Sequence, residues 1–180
     1  MPIDLKSNYF ELFGLPNQFE VDTSLLATRF RALQSECHPD QFVNGSDEEK
    51  RISMQQTAFV NEASDTLKNP RLRARYMLAS NGVDFTDETD LSKDPAYLME
   101  QMELRESIEN AENATDPFDE LDDLRKIILT RRGDVENDFQ SSYASGNMPE
   151  AKQAVLKMRF CERIIEEIQR IEERLEDELI

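Results

Sequence analysis

The chain has 180 residues, enough for one sizeable domain or two small ones, and its low Gly (5) and Pro (7) content, with no Trp, favours helix over sheet or disorder. A formal net charge of -17 argues against nucleic acid or an anionic membrane as a partner, because both demand a basic surface. The acidity is uneven: 9 Lys+Arg and 11 Asp+Glu stand before residue 81, against 12 and 27 after it, which points to two functional regions.

Met1-Pro2-Ile3-Asp4-Leu5-Lys6 lacks the basic start and apolar run of a signal peptide, and no stretch approaches the roughly 18 apolar residues of a membrane span. A cytoplasmic protein is expected, with Cys37 and Cys161 as free thiols. Tyr9 to Leu15 then predicts a short apolar helix stopped by Gly14 and Pro16. Asp22 is placed to cap a second helix, whose Leu25, Leu26, Phe30 and Leu33 recur at helical spacing and which runs to about Cys37. His38-Pro39 ends it, since a residue before proline avoids the helical region.

Ser46-Asp47-Glu48-Glu49 has the form of a capping box and predicts a long third helix with Ile52, Gln55, Phe59, Ala63 and Leu67 as its buried stripe. Asn69-Pro70 breaks it, and Arg71 to Ser80 predicts a further short helix closed by Asn81-Gly82. Residues 83–94 are polar, lack a helical period and are expected to be a linker. Three proline-led starts follow, at Asp94-Pro95, Asp116-Pro117 and Asn147-Met148-Pro149, predicting helices to about Asn113, Tyr143 and Ile180. Their short loops imply an antiparallel three-helix bundle over 95–180, and the acidic run Asp116 to Asp123 suits the start of the middle helix. The expected fold is all-α, a helical hairpin within 1–82 followed by that bundle.

His38-Pro39-Asp40 falls between the second and third helices. A lone His is ordinarily a packing or surface residue, but here Pro39 freezes the backbone between a cation-capable ring and a carboxylate. Such a loop at the mouth of a hairpin is suited to gripping another protein. A metal-binding enzyme built on Cys37, His38, Asp40 and Cys161 is a poor rival, because there is no second His and no Cys-x-x-Cys pair. No catalytic residue, metal or cofactor is expected.

In the first bundle helix, Tyr97, Leu104, Ile108 and Ala111 fall in one sector, whereas Leu98, Met99 and Met102 lie about 100° to 160° away, on the side of Glu106 and with Glu103 at its border. On the last helix, Ala154, Met158, Cys161, Ile165 and Ile168 form an inward row and Phe160 points about 110° off its centre. These off-stripe residues either widen the core or form an exposed Leu/Met/Phe patch rimmed by carboxylates, which a partner would cover.

Tyr9-Phe10-Glu11-Leu12-Phe13-Gly14-Leu15, Cys37-His38-Pro39-Asp40-Gln41-Phe42 and Asn61-Glu62-Ala63 through Leu67 together resemble a J-domain. Leu98-Met99-Glu100-Gln101-Met102-Glu103-Leu104-Arg105-Glu106, with Lys157-Met158-Arg159-Phe160, extends the resemblance over nearly the whole chain to the HscB family, the J-proteins of bacterial iron-sulfur cluster assembly. That resemblance implies a co-chaperone that is not itself an enzyme. It implies a DnaK-type chaperone partner, HscA, contacted through His38, Pro39, Asp40 and Gln41 with Arg29 and Arg31 of the preceding helix. It also implies a client, the cluster scaffold IscU, held by Leu98, Met99, Met102, Glu103, Glu106 and Phe160. Gln41 stands where the family commonly has Lys, and Ser35 and Glu36 leave the helix end without its usual extra positive charge. A monomer is expected. The alternative is an adaptor without J-activity, dimeric through Ile164, Ile168, Ile171, Leu175 and Leu179 of the last helix.

Overall fold

The computed structural model describes residues 3–85 and 95–178, and among these every regular element is a helix. They are α1 (Tyr9–Leu12), α2 (Thr23–Cys37), α3 (Asp47–Lys68), α4 (Pro70–Ser80), α5 (Pro95–Glu112), α6 (Pro117–Ala144) and α7 (Met148–Glu178), with a single 3-10 turn at Pro39–Phe42. The chain divides into two compact units, Met1–Met77 and Leu78–Ile180, the division falling inside α4.

In the first unit α1 is stopped by Gly14 at φ +60, a left-handed cap that lets the Leu15 N–H reach the Phe10 carbonyl at 2.8 Å. Asp22 caps α2 by accepting from the Ser24 and Leu25 N–H groups. The capping box of α3 is complete: Glu49 accepts from the Ser46 N–H, which holds its carboxyl below the usual range, while Ser46 Oγ accepts from the Glu49 N–H. Phe10, Phe13, Leu26, Val60, Leu67 and Met77 fill the core. Tyr9 stacks on Tyr76 with ring centroids 4.3 Å apart, and its N–H donates to the Tyr76 hydroxyl at 3.0 Å.

The stripe of α3 is not the one its large side chains suggest. Ile52 and Gln55 are exposed, and Ser53, Gln56, Val60, Ala63, Ser64 and Leu67 are buried instead. The reason is a polar contact: Ser53 and Thr57 donate their hydroxyls to the Cys37 carbonyl at 2.6 and 3.0 Å, satisfying the end of α2. Two hydroxyls one turn apart thus decide which way the first half of α3 faces.

In the second unit α5, α6 and α7 form an up-down-up bundle. Glu100 of α5 pairs with Arg131 of α6 and Arg125 of α6 pairs with Glu172 of α7, so consecutive helices are antiparallel, while Glu112 of α5 pairs with Arg174 of α7. Gly146, at φ +76, ends α6 in a left-handed cap with the Asn147 N–H on the Ser142 carbonyl at 2.8 Å, turning the chain back into α7. The core holds Tyr97, Ile108, Ala111, Leu121, Ile128, Cys161, Ile164 and Ile168, with burial pushing the Cys161 thiol up. The beginning of the expected linker is docked: Phe85 is buried and the Lys152 ammonium lies 5.2 Å from its ring centroid. The rest of that linker, and Asp94, the cap expected for α5, lie outside the described residues.

Of the two readings open for Phe160 on α7, the structure shows the widened core, and the same packing bears on the coiled-coil seam. Phe160 is only 8 % exposed and meets the Tyr97 ring edge-to-face at 5.7 Å, because α7 packs against both α5 and α6 and needs a buried arc wider than one stripe. For the same reason Ile164, Ile168 and Ile171 are buried within this bundle, so they are not free to zip a second copy; Leu175 packs against the same core, and Leu179 lies outside the described residues.

Phe160→Ala should therefore lower unfolding stability by about 3 kcal/mol, read by urea denaturation followed by circular dichroism. The pH dependence is also set: Tyr9 and Tyr97 are both pushed up to about 12, in each case first by burial and for Tyr9 also by the neighbouring Glu62 carboxylate. Folding favours their protonated forms, so this contribution is whole below about pH 10 and fades as pH rises towards 12. Stability measured between those limits should fall with pH, and less steeply in Tyr9→Phe/Tyr97→Phe.

Candidate functional site

The loop tripeptide is built by the end of α2. His38 leaves the helix at φ -60 and ψ 133, as a residue before proline must, and it caps both α2 and the 3-10 turn that Pro39 begins. Its Nδ1 accepts from the Asp40 N–H at 3.2 Å, which leaves Nε2 facing away from that contact, and its carbonyl accepts from the Gln41 N–H at 2.9 Å. The Asp40 carboxylate lies 3.6 Å from Nδ1 and is exposed, as are His38 and Gln41. Pro39 is half-buried. Behind the loop lies a cavity of roughly 580 Å³ lined by Ile3, Cys37, Phe42, Ile52, Ser53 and Gln56.

The loop therefore presents an exposed imidazole and an exposed carboxylate side by side on a short turn. What holds it is the pair of hydroxyls on the Cys37 carbonyl, one residue upstream. Reading for apolar periodicity passes over Ser53 and Thr57; the available signal was two hydroxyl residues at i and i+4 facing a helix end.

Arg29 and Arg31 are both exposed, but two residues along a helix is about 200° of rotation, so they occupy different sides of α2 and form no common strip. Arg31 Nε donates to the Ala27 carbonyl at 3.2 Å along its own helix. Arg29 flanks the buried side that carries Leu26, and it is the cation nearer to the interior edge.

On α5 the structure brings five of the six second-region residues to one outer face. Leu98, Met99 and Met102 are 46 %, 65 % and 71 % exposed, and Glu103 and Glu106 are exposed beside them. The rotation of α5 is fixed by Tyr97, Ile108 and Ala111, which are buried, and by half-buried Leu104 against the same core. Phe160 is the sixth and belongs to the core, its ring bordering a groove between α5 and α7 rather than standing on the open face. Three large apolar side chains left together on a helix that has already buried its core stripe are costly in water, and methionines adapt readily to a covering surface. Among the described residues no cluster of three or more His, Cys, Asp and Glu is arranged to hold a metal ion, and no helix is long and apolar enough to cross a membrane.

The chain is similar to known proteins along nearly its whole length. The family described as the HSCB C-terminal oligomerisation domain matches residues 93–169. A co-chaperone protein HscB homolog from Aliivibrio fischeri is 41 % identical over 168 residues, covering 93 % of this chain and 98 % of that protein. Among solved structures, the chaperone HscB from Vibrio cholerae superposes with a TM-score of 0.85 at 38 % identity, covering 94 % of this chain and 99 % of the other. Human co-chaperone protein HscB gives 0.84 at 30 % identity over 92 % and 82 % of the two chains. Identity of this order across both units, with the same helical fold, means that the chain belongs to the HscB family of co-chaperones.

Proposed function

We propose that the chain takes an iron-sulfur scaffold of the IscU type on the outer face of α5 and presents it to a DnaK-type chaperone, HscA, whose ATP hydrolysis the His38-Pro39-Asp40 loop stimulates. In this reading residues 1–82 act as the J-domain and 95–180 as the client-binding bundle, working in the cytoplasm as a monomer. Hydrolysis traps the scaffold on the chaperone, and its altered state favours transfer of the cluster and maturation of iron-sulfur proteins. The chain makes and breaks no covalent bond; it contributes differential binding to the hydrolysis-competent state of its partner.

The observation that carries the client half is the exposure of Leu98, Met99 and Met102 on a helix whose core stripe is already satisfied. Apolar anchors would supply most of the affinity, and Glu103 and Glu106 would orient a basic part of the scaffold. The chaperone half is supported by a loop whose recognition groups are exposed while its backbone is pinned from behind. His38, Pro39 and Asp40 would make the short-range contacts, with Arg29 steering an acidic chaperone surface, Arg31 contributing from another side and Gln41 adding a hydrogen bond but no charge. Fewer cations on α2 mean slower, less salt-sensitive association with the chaperone.

The test uses two variants and two assays. His38→Gln should abolish stimulation of the chaperone's steady-state ATPase and leave scaffold affinity unchanged. Leu98→Ala/Met102→Ala should weaken scaffold binding by about 3 kcal/mol, roughly a hundred-fold in Kd, with full helical content and intact basal stimulation. A wild-type chain that neither stimulates nor binds, or variants indistinguishable from it, would contradict the proposal.

A further inference from the structure

The outer face of α5 is polarised in charge. With Leu104 as the centre of the buried stripe and about 100° per residue, Arg105 and Leu98 lie about 100° and 120° round on one side, and Met102 about 160°. On the other side Glu106, Met99 and Glu103 lie about 160°, 140° and 100° round. The ion pairs identify the two sides: Glu112, on the side of Arg105, meets Arg174 of α7, and Glu100, on the side of Glu103, meets Arg131 of α6. Glu103 and Glu106 thus border α6 and Arg105 borders α7, with the apolar strip between them.

On the α7 border Arg105 lines a groove of roughly 470 Å³ together with Arg159, Arg163, Arg170, Phe160 and two carboxylates, Glu166 and Glu167. Glu166, also in its lining, lies 3.5 Å from Arg159 and 4.0 Å from Arg170, and Glu162 lies 3.5 Å from Arg159. Arg105 and Arg163 have no carboxylate within ion-pair distance among the described residues. Two guanidinium groups that meet no carboxylate among the described residues thus share one concave site in which four arginines outnumber two glutamates, in a chain of net charge -17. Each repels the other cations of the groove, and an incoming carboxylate would relieve that repulsion through the paired N–H donors of the guanidinium fork.

We propose that this groove receives an acidic segment of the client: an Asp- or Glu-bearing stretch of the scaffold lies across Arg105 and Arg163 while the apolar strip and Glu103/Glu106 hold the adjoining surface. The proposal rests on the client-binding reading of α5 and deepens it. A face acidic along one border and basic along the other pairs both borders in a single docking orientation, and reversing the client sets like charges against each other. Phe160 then takes part from within the core, as the apolar wall of the groove.

The test is titration calorimetry of the full chain against a purified IscU-type scaffold, across a range of salt. Arg105→Ala/Arg163→Ala should raise Kd roughly ten-fold and flatten its salt dependence, with helical content unchanged, and Arg163→Lys should keep most of the affinity. If Leu98→Ala/Met102→Ala weakens binding while the arginine variant matches wild type, the groove proposal is overturned and the client reading stands. If neither variant alters binding, or wild type does not bind, both are overturned. Inorganic phosphate or anionic vesicles binding wild type alone and lost in the arginine variant, with scaffold affinity unchanged, would overturn the proposal in favour of another occupant.

Discussion

The edge-to-face contact of Tyr97 with Phe160 fixes how α5 is turned about its own axis, and what that helix shows to solvent depends on it. A helix in a three-helix bundle can bury one arc only, and aromatic pairs of this kind add to their area burial a preferred geometry. With Tyr97 held against α7, and Ile108 and Ala111 following it into the core, Leu98, Met99 and Met102 have no place inside. Rotation by a single residue would bury Leu98 and expose Tyr97, losing the largest side chain that α5 puts in the core. The apolar face is therefore a consequence of core packing, and the proposed client binding draws on what the core leaves over.

The first unit works by a comparable economy at the end of α2. Proline at position 39 prevents the helix from continuing, so the last carbonyls need other partners. Ser53 and Thr57 supply them at Cys37, and α3 turns a polar side inward to do so. The loop that begins at the next residue is thereby anchored from α3 as well as by its own His38 ring, and the imidazole and the Asp40 carboxylate stay exposed. An anchored loop loses less entropy on binding than a mobile one, which would suit the proposed contact with a chaperone.

Where backbone chemistry dictated structure, the sequence was readable. Pro95 and Pro117 open α5 and α6 and Pro149 sits in the first turn of α7; Asp22 caps α2, and the Ser46/Glu49 box opens α3, all as local rules require. The outward placement of Leu98, Met99 and Met102 followed from rotation about α5 because that helix buries a narrow stripe. The same arithmetic left Phe160 open between core and patch, since α7 is wedged between two helices and its buried arc runs from Leu156 and Phe160 past Ile164 and Cys161 to Met158. It also misphased α3, where the buried residues are Ser53 and Gln56: a hydroxyl that satisfies a distant carbonyl carries no hydropathy signal. Likewise Arg29 and Arg31, close in sequence, are separated by helical rotation, and the groove at Arg105 and Arg163 joins residues about sixty positions apart that only the packing of α5 on α7 brings together.

The central claim is that the two surfaces act as one device only when they belong to the same molecule. It is tested most directly by the steady-state ATPase of a DnaK-type chaperone with an IscU-type scaffold, comparing the wild-type chain with an equimolar mixture of His38→Gln and Leu98→Ala/Met102→Ala. Each half of the activity is present in the mixture but on separate chains. The account predicts that wild type and scaffold stimulate the chaperone synergistically and that the mixture gives no more than the stimulation of its J-competent member alone. A mixture that matched wild type would contradict it, because delivery would then not require the client face and the loop to be joined.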